Sequence, residues 1–345
     1  MGGRSKSKRK IIAPKNKNSS LKWAILALVL VFSLIILSKA FSFVFSLGKP
    51  LNNPSFKKSY SWDGKSAITL AVKSDEISIL NYDPFEKKVT ILNIPNDTYL
   101  ELPKGFGPWP IGSVYGLGQM ENPPVGDSLL KLSISKLVGL PIDGFIHLKE
   151  GEKLDQKLAK YKDSFFISLL GLRNTNTDLS LIEMYKLASA ITSVRSDKII
   201  SLDLSQTDIT KSKLLGDSSR VLGVDAIKLD LYIRENMADS QFLQEDATIS
   251  IYNATSQPGL AGEASRFITN LGGTVIFAAN TQKEQTKTQV IFSNPQSYTA
   301  QKVARIFAPH CLIKPCVSDE PKVLSSRAAI NIILGEDYYQ LFHQR

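Results

Sequence analysis

Apolar positions along the chain fall into three kinds of run. The first is Trp23–Leu37, fifteen residues with Ser33 as the single polar member, followed after Ser38 and Lys39 by the mostly apolar Ala40–Leu47. Trp23 to Leu47 would extend about 37 Å as a helix, enough for a tilted crossing of a roughly 30 Å hydrocarbon layer. The second kind is short and strand-like. Ala67–Val72 is one such run, and Ile77–Tyr82 and Lys88–Ile94 flank Asp83-Pro84-Phe85-Glu86-Lys87, a turn sequence that predicts a β-hairpin. The third kind has helical spacing. Asp127–Val138 carries the apolar residues Leu129, Leu130, Leu132, Ile134, Leu137 and Val138, with Lys131 and Lys136 able to face water, and ends at Gly139, and Leu179–Val194 also reads as helical.

Between these, Leu102–Pro124 is rich in Gly and Pro and reads as loop, Ile142–Leu148 and Lys198–Leu204 as strands, and residues 149–180 as irregular. Residues 205–246 read as a polar connector with one extended segment, Ile227–Ile233. The last hundred residues are clearer. Strands are expected at Ala247–Tyr252, Thr274–Ala279, Thr288–Phe292, Leu312–Ile313 and Ala328–Leu334, with helices at Leu260–Leu271 and Tyr298–Phe307. That order, β-α-β-β-α-β-β, predicts one helical layer on a mostly buried sheet, with Gly335–Arg345 capping the final strand.

Charge changes the picture. The net charge of +10 would suggest a nucleic-acid or acidic-surface partner if it were spread along the chain. It is not. Eight basic residues (Arg4, Lys6, Lys8, Arg9, Lys10, Lys15, Lys17 and Lys22) precede the first apolar run with no acid among them, and Lys39 lies within it. Residues 48–345 carry 33 basic against 32 acidic side chains, so no nucleic-acid partner is expected. Positive charge before an apolar span predicts an N-terminus inside and the rest outside. Cleavage after Ala40 is the rival reading, because Ser38-Lys39-Ala40 has the small residues of a signal-peptide site.

The expected class is therefore α/β, with a single N-terminal transmembrane helix followed by two extracytoplasmic α/β domains, anchored in the cytoplasmic membrane. The expected segments are a basic tail (1–22), a signal-anchor helix (23–47), a linker (48–64), a first domain (65–204), the connector (205–246) and a second domain (247–345). A composition of 43% hydrophobic and 21% charged residues excludes a disordered tail or a collagen-like rod.

Little catalytic chemistry is legible from motifs alone. There is no nucleophile elbow, phosphate-binding loop or dinucleotide fingerprint, and His147, His310 and His343 lack metal-ligand spacing. Cys311 and Cys316 could close a local disulfide or remain buried thiols. Gly105-Phe106-Gly107-Pro108-Trp109-Pro110 is an aromatic loop able to lie over a sugar or lipid, or to pack as ordinary surface.

Residues 247–336 resemble the C-terminal domain of LytR–CpsA–Psr-related envelope proteins. The resemblance rests on Ile249–Thr255, Pro258-Gly259-Leu260-Ala261, Leu271-Gly272 with Val275-Ile276, and the closing Ile330–Tyr338. Upstream, Lys73-Ser74-Asp75, Ile94-Pro95-Asn96-Asp97-Thr98 and Val138–Phe145 resemble that family's catalytic domain. The resemblance implies a site that takes a polyprenyl pyrophosphate-linked glycopolymer with a divalent metal and transfers the glycan to peptidoglycan. Asp75 and Asp97 stand at its acidic positions, as catalytic or magnesium-binding carboxylates, and Lys73 at a pyrophosphate contact.

Departures run alongside. Asn96 and Lys73 replace arginines, and Pro110-Ile111-Gly112 stands where Lys-Ile-Asn is expected. Pyrophosphate calls for converging cations, with Arg the favoured geometry. The leading expectation is thus a noncatalytic envelope protein that needs no cofactor and binds a wall polymer, peptidoglycan or a protein partner at the membrane. The alternative is a divergent glycopolymer phosphotransferase using Mg2+, with Arg173, Arg195 or Arg220 replacing the lost arginines. A membrane-tethered transcriptional attenuator is a third reading, disfavoured by a tail of about 22 residues, too short for an ordinary folded DNA-binding module.

Overall fold

Alternate residues of the first strands point to opposite sides of one sheet, and both sides are apolar. In β1 (Ile68–Lys73), β2 (Ile77–Asp83) and β3 (Lys88–Ile94), the set Ile68, Leu70, Val72, Leu80, Tyr82, Val89 and Ile91 shares one core. The intervening set Ala71, Ile77, Ile79, Leu92 and Ile94 enters another. A period of two with both phases apolar demands a covering layer on each face. The computed structural model describes residues 28, 30, 32–36, 38, 39, 61–149, 151, 154, 176–216, 219–281, 283–318 and 321–343. The chain divides into two compact units, 1–49 and 50–345.

In the larger unit the first sheet runs β7-β6-β1-β2-β3-β8. It is joined by the small hairpin β4 (Tyr99–Leu102) and β5 (Gly107–Pro110), helices α1 (Ile111–Gln119) and α2 (Gly126–Val138), and strand β6 (Gly144–His147). Then follow β7 (Asn176–Thr177), α3 (Leu181–Thr192) and β8 (Ile199–Asp203). Helix α2 covers one face through Leu129, Leu130 and Ile134; α3 covers the other through Met184, Leu187 and Ile191. Gly139, in the left-handed region at φ 61°, ends α2 as expected.

The expected loop over Leu102–Pro124 instead contains β5 and α1. Pro110 sits at the N-cap of α1, where its missing N–H costs nothing, and buried Ile111 and Val114 hold the helix down. The expected connector 205–246 is also structured. It holds the hairpin β9 (Thr210–Leu214) and β10 (Arg220–Val224), then α4 (Ala226–Asn236) and α5 (Ser240–Glu245). Ile227–Ile233 is helical, not extended: Asp225 caps α4, and Leu229 and Ile233, four apart, are buried together.

The C-terminal region builds a four-stranded sheet, β12-β11-β14-β13, from β11 (Thr248–Asn253), β12 (Thr274–Asn280), β13 (Gln289–Phe292) and β14 (Ile330–Leu334). Helices α6 (Leu260–Asn270), α7 (Tyr298–Phe307) and α8 (Glu336–His343) pack on it. The order is β-α-β-β-α-β-α, correcting the expected final β-β. Leu312-Ile313 belongs to a single helical turn, His310–Ile313, and the capping tail is α8. Cys311 and Cys316 are disulfide-bonded. Lys302 Nζ donates to the Ala67 carbonyl at 2.6 Å, so the two sheets share one compact unit.

The expected membrane-spanning helix over 23–47 is corrected: among the described residues no helix is long and apolar enough to cross a membrane. Most of 23–47 lies outside the described residues. Those described between Leu28 and Lys39 are helical. The single-pass topology, the inside-to-outside orientation and the cytoplasmic-membrane location rested on that span, and no described helix supports them. The 1–22 tail and most of the 48–64 linker also lie outside the described residues. The linker's end does not stay free: Trp62 is buried, its indole N–H donating to the Ser66 carbonyl at 2.8 Å.

Candidate functional site

Strands β1, β3, β6 and β8 all run the same way, because β1 is parallel to β6, β3 is parallel to β8, and β2 is antiparallel to both β1 and β3. Their C-terminal ends therefore share one edge of the sheet, the edge where open α/β sheets bind ligands. Lys73, the Ile94–Thr98 turn, His147 and Asp203 all lie there. Sequence segments far apart in the chain meet at this edge.

The turn after β3 is the hub. Gly112 N–H donates to the Asn96 carbonyl at 3.0 Å and Ile111 N–H to the Thr98 carbonyl at 2.8 Å, locking Pro110-Ile111-Gly112 against Asn96-Asp97-Thr98. Asn96 Nδ2 donates to the Asp75 carbonyl at 2.6 Å. On the far side Leu222 N–H donates to the Asp97 carbonyl at 3.0 Å, docking β10 onto the turn. Arg220 thereby comes to line the same concavity as Asn96 and Asp97, one of about 700 Å³ that also includes Trp109 and Ser113.

The candidate residues are only partly united. Asp97 lines this concavity. Asp75 lines a different one of about 440 Å³, beside Glu76, Asn93 and Asp203, and its Oδ2 accepts from Gly151 N–H at 2.9 Å. Lys73 Nζ stands 5.3 Å from the centre of the Tyr115 ring. Of the three arginines considered as replacements, Arg220 reaches the site, exposed Arg195 pairs with Asp197 at 3.0 Å, and Arg173 lies outside the described residues.

A second group escapes sequence reasoning altogether. His147, in register with Lys73, packs its ring edge-on against Tyr115 at 4.6 Å and places Nε2 3.4 Å from Asp127 Oδ1. Burial, reinforced by the negative charge of Asp178, pushes the Asp127 carboxyl up to about 6. Burial, reinforced by Lys73, pushes the His147 imidazole down to about 4. Asp127 lies in the first turn of α2 and His147 ends β6, and no local spacing announces the pair.

The acids do not fit a magnesium cage. Among the described residues, the group of three close metal-ligating side chains is His310, Cys311 and Cys316, and its two sulfurs are bonded to one another. Asp75 and Asp97 belong to no such cluster and line separate concavities.

Comparison with known families matches residues 246–338 to the family described as LytR cell envelope-related transcriptional attenuator. That bears out the resemblance to LytR–CpsA–Psr-related cell-envelope proteins. No curated protein matches the chain. Among solved structures, B. subtilis TagT is 16% identical, with 53% of this chain and 95% of that chain covered and a TM-score of 0.38. "TagT bound to LIIa-WTA" matches at 16% identity, covering 54% of this chain and 95% of that chain, TM-score 0.38. A LytR-CPS2A-psr family protein, YwtF (TagT), described with bound octaprenyl pyrophosphate lipid, matches at 15% identity, 55% and 98% coverage, and TM-score 0.38.

The noncatalytic expectation is corrected at this point. It rested on a cationic site stripped of arginine, whereas the fold brings Arg220 to the concavity that Asp97 lines.

Proposed function

We propose that this protein is a divergent phosphotransferase that moves a glycopolymer from polyprenyl pyrophosphate to peptidoglycan. The observation that carries the reading is Arg220, delivered by β10 to the concavity that Asn96 and Asp97 line. A guanidinium there offers bidentate donors to a phosphate where the resemblance has lost its own arginines. In the reaction an acceptor hydroxyl forms a new O–P bond at the glycan-bearing phosphorus. The bridging P–O bond breaks, polyprenyl monophosphate leaves, and the hydroxyl proton passes to solvent. Charge develops on the bridging and nonbridging oxygens, where a fixed cation counts most.

The matched structures described with a teichoic-acid ligand and a pyrophosphate lipid agree in chemistry with this substrate. A cell-wall glycopolymer is the partner the reading requires.

The test uses the full chain with a polyprenyl-pyrophosphate-linked oligosaccharide and peptidoglycan fragments, with and without magnesium. Release of polyprenyl monophosphate with labelled peptidoglycan is expected, and Arg220→Ala should lower the rate by about a hundredfold. No product under either condition would overturn the reading.

A further inference from the structure

His310, Cys311 and Cys316 meet just past the end of α7, although their spacing matches no zinc motif. One ligand atom from each, the two sulfurs and a ring nitrogen of His310, lies within 4.8 Å of both others. A four-coordinate zinc ion holds neighbouring sulfur and nitrogen ligands about 3.5–3.8 Å apart, so the trio is compact enough to share one ion. Its backbone is pinned independently of the sulfur–sulfur bond. Cys311 N–H donates to the Ala308 carbonyl at 2.9 Å, Leu312 N–H to the Pro309 carbonyl at 3.2 Å, and Lys314 N–H to the His310 carbonyl at 3.0 Å. Pro315 fixes its own φ directly before Cys316. Opening the disulfide therefore keeps the three side chains on one short turn.

The surroundings select the ion. Cys311 is buried in the core that α6, α7 and α8 share, Cys316 packs against the same core, and His310 is exposed. Val290 N–H donates to Cys311 Sγ at 3.4 Å, a contact that favours the thiolate once the bond is open. Two thiolates and a neutral imidazole bring two negative charges, so a divalent cation makes the complex neutral and adds no unpaired charge at the edge of the core. A monovalent copper ion on the same ligands would leave one negative charge over. Soft sulfur with imidazole and a divalent charge is the donor set of zinc. The exposed face of His310 supplies the entry path, and the fourth position is open to water.

We propose that reductive opening of the Cys311–Cys316 disulfide creates a zinc site completed by His310. An external dithiol supplies two electrons and two protons to the sulfurs and leaves as its own disulfide. Zinc then displaces the two thiol protons to solvent. The same short loop is closed by a covalent bond in one redox state and by a metal ion in the other. The site shares no residue with the concavity that Asp97 lines, so it stands apart from the transferase reading.

The test uses the full chain, reduced with dithiothreitol and desalted without oxygen, beside the untreated disulfide form. Both are titrated with Co(II), which reports thiolate ligation by a charge-transfer band in the near ultraviolet, and with Zn(II) against a chromophoric chelator. The reduced protein should take one Co(II) per chain with that band, and one equivalent of Zn(II) should displace it. The disulfide form should show no band. His310→Ala, an exposed position, should weaken Zn(II) binding by about tenfold or more, and Cys316→Ser by about a hundredfold. Zn(II) should also raise the thermal midpoint of the reduced protein and leave that of the disulfide form unchanged. Absence of micromolar Zn(II) binding by the reduced protein, equal affinity in His310→Ala, or equal binding by the disulfide form would overturn the site.

Discussion

Asp127 Oδ1 and His147 Nε2 face each other across 3.4 Å, both buried and neither making a hydrogen bond. With the carboxyl raised to about 6 and the imidazole lowered to about 4, both groups are neutral in the folded protein between those values. In the unfolded chain, with ordinary values of about 3.9 and 6.5, both are charged over most of the same window. The folded and unfolded chains then bind equal numbers of protons at this pair, and its two pH dependences cancel.

Single variants should expose the two halves with opposite signs. Asp127→Asn leaves His147, whose depressed value gives stability present above about pH 6.5 and lost as pH falls toward 4. His147→Gln leaves Asp127, whose raised value gives stability present below about pH 3.9 and lost as pH rises through 6. Each swing should be about 1–3 kcal/mol, read from urea midpoints across that window. Slopes of the same sign in both variants would contradict the assignment.

Arg266 joins the two sheets' layers. Its Nη1 and Nη2 donate to the Lys136 and Leu137 carbonyls at 2.6 and 2.7 Å, and Nε and Nη2 both reach the Asp230 carboxylate. The last carbonyls of α2 are thus capped by a side chain from α6. Arg266→Ala should cost about 2–4 kcal/mol in urea unfolding. Arg266→Lys should recover little, because one ammonium cannot reproduce the fork.

Gly112 has no room for a side chain. A Cβ there would fall 2.8 Å from Asn96 Cβ and 3.1 Å from the Asn96 carbonyl oxygen. Gly112→Ala should destabilise by about 1–3 kcal/mol, and adding Asn96→Gly should restore part of that loss. A double-mutant cycle on urea midpoints measures the coupling; additive costs would mean that the two positions do not meet. A non-additive cycle would make the two departures from the Lys-Ile-Asn and Ile-Pro-Arg patterns one packing change.

The Cys311–Cys316 bond spans a sequence separation of 5. Cys316→Ser should lower stability by about 2 kcal/mol, the entropy of so short a closed loop. Treating the wild-type protein with dithiothreitol should bring its melting curve onto that of the variant.

Several elements were legible because their signals are local. The hairpin of β2 and β3 was announced by two apolar runs around Asp83–Lys87, and α7 by its apolar stripe from Tyr298 to Phe307. Gly139 marked the end of α2 because a left-handed residue there favours glycine. The misreadings occurred where tertiary contact outweighed composition. Helix α1 forms in a Gly- and Pro-rich stretch because Gly118 can sit directly against Gly126 of α2, and α4 forms because Leu229 and Ile233 have a core to enter.

By itself, the sequence determined the α/β class, the order of most strands, the character of the C-terminal domain and the near neutrality of residues 48–345. Such properties follow from periodicity, local turns and counting, none of which depends on where distant residues meet. Only the tertiary structure decided that Arg220 accompanies Asp97, that Asp75 faces a separate concavity, and that His147 meets Asp127. Those pairings are set by strand order and by one backbone hydrogen bond from Leu222 to Asp97. A site is a relation among elements, and its cost and its chemistry are both fixed by packing over distances that local pattern does not encode.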